Sequence, residues 1–86
     1  MIRPAVKSYD WIVVGQKDAV VCNVLKDSEQ IEIVYLDNKD KAINEDVRWN
    51  GSRWEFVNQS PCGGYADNNS RLSVFVGILR AGRRLS

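Results

Sequence analysis

Ile31-Glu32-Ile33-Val34-Tyr35-Leu36-Asp37 is the clearest strand in the chain. Ile31, Ile33 and Tyr35 recur at the two-residue period of a strand and share one face, with Glu32 on the other. Upstream, residues 19–25 form a Val-rich run and Trp11-Ile12-Val13-Val14 forms another, bounded by Asp10 and Gly15. Gly15 to Asp18 reads as a four-residue polar turn, which makes the two runs an antiparallel hairpin. Residues 26–30 are the next polar turn. Downstream, residues 37–41 form a charged loop, and residues 42–49 resume strand character with Val47 and Trp49 on one face.

Asn50-Gly51 is a strong turn signal. A two-residue loop would set Arg48 opposite Arg53, a like-charge pair, and a three-residue loop would put the apolar faces out of phase. A four-residue loop, Asn50 to Arg53, pairs Trp49 with Trp54, Arg48 with Glu55 and Val47 with Phe56. That register is the expected one. Residues 58–69 hold Pro61, Gly63, Gly64 and several Asn and Ser, and read as a loop. In residues 70–81, Leu72, Phe75, Val76 and Leu79 fall on one helical face, with Ser70 or Asn69 as cap, Arg80 in the last turn and Gly82 as stop. Val74, Val76, Ile78 and Gly77 keep a strand as the competing reading. The start and stop signals favour a helix, placed over one open end of the barrel.

The chain has 86 residues, enough for one domain that buries about 60–65% of its unfolded surface. No apolar run approaches the ~20 residues of a membrane-spanning helix. Residues 1–7 lack the apolar stretch of a signal peptide. No membrane association is expected, and a cytoplasmic location is. The net charge is +1, but its distribution is uneven: residues 1–46 carry six basic and nine acidic side chains, residues 47–86 six and two. A basic face near the C-terminus, meeting phosphate or an acidic partner, is the sharper reading of this asymmetry.

Five short strands joined by tight turns suggest a mainly β fold, a small barrel or sandwich. Over residues 10–56 the chain resembles a Tudor domain, a five-stranded antiparallel SH3-like barrel. The resemblance rests on Ile31 to Asp37. In that family such a strand runs into an Asp-Tyr-Gly-Asn turn, then into a strand with an acidic residue. Asp37 matches the first turn position and Asp46 the later acid. Asn38 stands where the family often has a cage aromatic, and Lys39 where it has Gly. The resemblance implies a barrel over residues 9–57 that binds partners rather than turning over substrates. A cage holding a methylated cation by cation–π attraction would need Trp11, Tyr35 and Trp54 to converge at one rim.

The residue inventory points the same way. There is no histidine, so Cys62 lacks a base and two cysteines cannot complete a zinc site. Cys22 reads as a small buried hydrophobe, and a disulfide to Cys62 is not expected. Asp37, Asp40, Glu45 and Asp46 include no calcium-loop spacing. Pro61-Cys62-Gly63-Gly64-Tyr65 lacks the Lys and Ser/Thr of a phosphate loop. No metal, cofactor or catalytic role is expected. Trp49 and Trp54 suit core or cross-strand packing and Trp11 a rim. The expected binding surface comprises Trp11, Trp54 and Tyr65, with Arg48 and Arg53 nearby, for a protein or peptide partner. The alternative is a nucleic-acid binder using Arg48, Arg53, Arg71, Arg80, Arg83 and Arg84 beside aromatics. The oligomeric state is left open.

Overall fold

The computed structural model describes residues 3–24, 29–57 and 64–82. Readings that fall on residues 1–2, 25–28, 58–63 and 83–86, including Cys62 and its pairing with Cys22, lie outside the described residues. Strands β1 (Trp11–Val14), β2 (Lys17–Val24), β3 (Gln30–Leu36), β4 (Ala42–Trp49) and β5 (Trp54–Phe56) close into a barrel in chain order. A 3₁₀ turn, Ser70–Leu72, leads into helix α1 (Ser73–Ala81). The architecture is mainly β and compatible with an SH3-like fold.

Four of the strand pairings are antiparallel, and one is not. β1 and β5 run parallel and meet through Val14 opposite Trp54. An odd number of up-and-down strands cannot close otherwise, so the all-antiparallel expectation is corrected on topological grounds. The β4–β5 register is Val47 to Phe56, Arg48 to Glu55 and Trp49 to Trp54, the four-residue turn expected from the sequence. Asn50 shapes that turn, its Oδ1 accepting from the N–H groups of Ser52 and Arg53. The β1–β2 turn is shorter than expected. Val14 pairs with Lys17, so only Gly15 and Gln16 form the loop. Gly15 supplies φ +63°, the left-handed value that a tight two-residue hairpin turn requires.

Two apolar layers share one sheet. Ile12, Val14, Ala19, Val21, Ile31, Ile33, Tyr35, Ile43, Val47 and Trp54 fill the barrel. On the outer wall, Val20, Cys22, Val34 and Ala42 pack with Ala66 and with Leu72, Val76 and Leu79 of the C-terminal segment. The helix therefore lies against β2 and β3, not over an open end as expected. The reason is visible in β2: Ala19-Val20-Val21-Cys22 is apolar at every position, the mark of a strand buried on both faces. The β2–β3 register shifts between Val21 and Asn23, leaving Cys22 as the extra residue of a bulge.

Polar contacts fix the helix on this wall. Asn69 caps the 3₁₀ turn, its side chain accepting from the Arg71 N–H at 2.9 Å. Arg71 forks onto Glu32 of β3 at 3.0 and 2.8 Å. Arg80 reaches Asp67 at 2.6 Å. At the stop, the Gly82 N–H donates to the carbonyls of Ile78 and Leu79. The N-terminal segment touches both β2 and the helix: the Tyr9 N–H donates to Val21 O, and the Tyr9 ring stacks on Phe75 at 5.0 Å. No helix among the described residues is long and apolar enough to cross a membrane.

Candidate functional site

The edge of β4 is shared. β5 pairs with its Val47 to Trp49 end, and residues 64–66 run along its other end. The Asn44 N–H donates to Gly64 O at 3.1 Å and the Ala66 N–H to Ala42 O at 2.8 Å, with Tyr65 bridged to Ile43 between them. Asp67 extends the anchor by accepting from the Ala42 N–H at 3.1 Å. Ala66 is wholly buried, whereas Tyr65 is 63% exposed. A large aromatic ring thus stands in solvent on a backbone clamped at both neighbours.

Beside it lies a cleft of about 180 Å³, lined by Tyr35, Asp37, Ile43, Gly64 and Tyr65. The β3–β4 loop supplies Asp37, whose Oδ1 accepts from the N–H groups of Lys39 at 2.8 Å and Lys41 at 2.9 Å. Those bonds, the Lys41 one foremost, hold the Asp37 carboxyl below the usual carboxylate range. The loop is a type I turn, with the Asp40 N–H donating to Asp37 O, followed by Asp40 itself at φ +61°. It sets the Lys41 ammonium 5.9 Å from the Tyr65 ring centroid, within cation–π range.

The floor of the cleft is Tyr35, whose ring packs against Phe56 at 5.3 Å. Its hydroxyl donates to Glu45 Oε2 at 3.5 Å. Glu45 lies opposite Ile33 on the inward face of β4 and is only 5% exposed. Burial pushes its carboxyl up, against the hydrogen bond from Tyr35 and with the charge of Asp46. Burial also raises the Tyr35 phenol, and the Glu45 charge adds to it.

The residues expected to form one surface do not converge. Tyr65 lies near the Ala42 end of β4, whereas Arg53 lies beyond the Trp49 end of this eight-residue strand, about 23 Å away along it. Trp54 is 6% exposed, in an edge-on contact with Trp49 at 5.4 Å. Its place opposite Val14, where the barrel closes, turns it inward, so it offers no exposed aromatic. Trp11 is half-buried against the outer-wall cluster and lines a groove with Lys17, Leu36 and Leu79. Trp11, Tyr35 and Trp54 consequently form no common rim. Arg48 is exposed and paired with Glu55 at 3.2 Å.

The uneven charge of the sequence is matched within the fold in part. Arg71 from the basic half meets Glu32 from the acidic half, and Arg48 and Arg80 have carboxylates of their own. The acidic cluster weighed for a cation also separates: Asp37 and Asp40 are in a loop, Glu45 faces inward, and Asp46 is exposed. Among the described residues, no three His, Cys, Asp or Glu side chains group as metal ligands. Asp37, Ile43, Gly64 and Glu45 were not expected at a binding site. The signal for Glu45 was present, since Ile43, Glu45 and Val47 alternate onto one face.

Comparison of the chain with protein-family models, with curated proteins and with solved structures finds no match.

Proposed function

We propose that this protein is a non-catalytic interaction module that binds a protein or peptide partner, with contact centred on Tyr65. The observation that carries this reading is an exposed aromatic ring on a fixed backbone. Such a ring brings a large contact area to an interface and loses little freedom on docking. The adjoining cleft falls below the ~300 Å³ at which small-molecule pockets begin, so it suits a single side chain better than a metabolite. An ionised Asp37 and two phenol rings favour a cationic side chain there, in competition with the chain's own Lys41, which lies over the Tyr65 ring. The Tudor-like resemblance of residues 10–56 agrees with a binding role. Of the six arginines of the nucleic-acid alternative, Arg48, Arg71 and Arg80 are paired with carboxylates, which lowers the charge they offer to phosphate; binding of that kind would fall steeply with salt.

The test is an NMR titration of the whole protein with short arginine- or lysine-containing peptides and with matched acidic ones. Basic peptides are expected to shift Tyr35, Asp37, Ile43 and Tyr65. Tyr65→Ala is expected to weaken binding at least tenfold without lowering Tm. If basic peptides at millimolar concentration leave those four residues unmoved, the reading fails.

A further inference from the structure

We propose that Glu45 is a positioning residue of this cleft, holding the Tyr35 hydroxyl from inside the barrel so that the floor can only accept hydrogen bonds, from an ammonium or guanidinium ligand. The inference rests on reading the Tyr65 cleft as the binding site. Its geometry is local to three strand positions. Ile43 lies opposite Tyr35 and lines the cleft, and Glu45, two residues on, shares the inward face with it. From there Glu45 Oε2 accepts a hydrogen bond from the Tyr35 hydroxyl at 3.5 Å.

A phenol has one hydrogen to give. With it directed at Glu45, the Tyr35 oxygen has only lone pairs left for a further partner. Asp37 is likewise an acceptor, and the N–H groups of Lys39 and Lys41 are already used on it. A carboxylate or carbonyl ligand would find no donor on the Tyr35 hydroxyl or the Asp37 carboxylate and only the Lys41 ammonium at the Tyr65 ring, whereas an N–H cation that displaces Lys41 would find acceptors on both. An apolar residue at position 45 would fit the Ile43, Val47 alternation without the desolvation penalty of a buried carboxyl. What Glu45 adds is the acceptor that orients Tyr35. The other titratable groups near this pair are Asp46, beside Glu45, and Asp37, towards Tyr35.

The experiment compares wild type, Glu45→Met and Tyr35→Phe by two readouts. One is affinity for a capped arginine peptide; the other is titration of the tyrosine ring signals by NMR. Glu45→Met is expected to lower the Tyr35 pKa towards the ordinary tyrosine value and to weaken the peptide about 3- to 10-fold, the scale of one hydrogen bond. Tyr35→Phe, which keeps the ring, should weaken the peptide similarly and carries the test if Glu45→Met does not fold. A merely structural role for Glu45 would move the Tyr35 titration through its charge alone and leave the peptide affinity of a folded Glu45→Met variant unchanged. Affinity unchanged in either folded variant overturns the role of Glu45 while sparing the cleft. A wild-type protein that binds no basic peptide overturns the cleft reading, and this inference with it.

Discussion

At the scale of single residues, Asp40 and Glu45 depart from what their surroundings prefer. Asp40 holds φ +61°, where a side chain is strained and glycine is not. Asp40→Gly is expected to raise stability by no more than about 1 kcal/mol, because the added freedom of the unfolded chain offsets part of the relieved strain. Thermal denaturation checks it, and a fall in Tm would show that the Asp40 side chain contributes more than its backbone strain removes. Glu45 departs by burying a carboxyl among apolar residues. Its folded pKa lies above its unfolded one, so its favourable contribution is complete below the unfolded pKa and is lost as pH rises through the folded pKa. Glu45→Met should therefore gain on wild type as pH rises from acid to neutral. Melting curves across pH 3 to 7 measure this, with the difference expected to be smallest at the acid end. An opposite slope would mean that the carboxyl is stabilised in its ionised form.

At the scale of elements, the helix is held by an apolar stripe and two ion pairs. Leu72 is wholly buried, and Leu72→Ala is expected to cost about 2–5 kcal/mol. Losing that contact should loosen the helix from β2 and β3 and uncover Cys22. Burial pushes the Cys22 thiol up to about 12, so in the intact protein it should resist thiol reagents at neutral pH. In a Cys62→Ser background, Leu72→Ala should increase Cys22 labelling by an order of magnitude or more; unchanged labelling would contradict the helix's role as its cover. The ion pairs add an acid limit. The Arg71 guanidinium holds Glu32 below the usual carboxylate range, and Arg80 does the same for Asp67. Both contributions are present above the unfolded pKa values and are lost as pH falls through the folded ones. Glu32→Gln should flatten the decline of stability below about pH 4, read from the same acid melts.

At the scale of the whole molecule, closure of the barrel depends on one narrow seam, Val14 against Trp54. Trp54 also fills the core beside Trp49. Trp54→Ala is expected to cost about 3–5 kcal/mol, a large share of the roughly 4–13 kcal/mol available to a chain of this length. The urea midpoint should fall further than for Trp11→Ala, whose ring is only half-buried on the outer wall. Equal effects of the two substitutions would show that the seam is not where the barrel is most vulnerable.

Much of this architecture was written in local pattern. The alternation of Ile31, Ile33 and Tyr35 placed β3 and its buried face, and cross-strand pairing chemistry set the four-residue turn after Trp49. Asn69 and Gly82 marked where the helical segment begins and ends. Lys17 and Asp18 read as turn in the sequence and pair as strand in the fold, because a polar residue at a solvent-facing strand position has the same composition as one in a loop. Other features arise only when distant segments meet. The helix went to the outer wall because Val20, Cys22 and Val34 needed a cover, a demand that no single strand states. The Tyr65 cleft exists because residues 64–66 complete the edge of β4 across more than twenty positions of chain. Periodicity reports which face of an element is buried; tertiary packing alone decides what buries it, and so which side chains stand together in solvent.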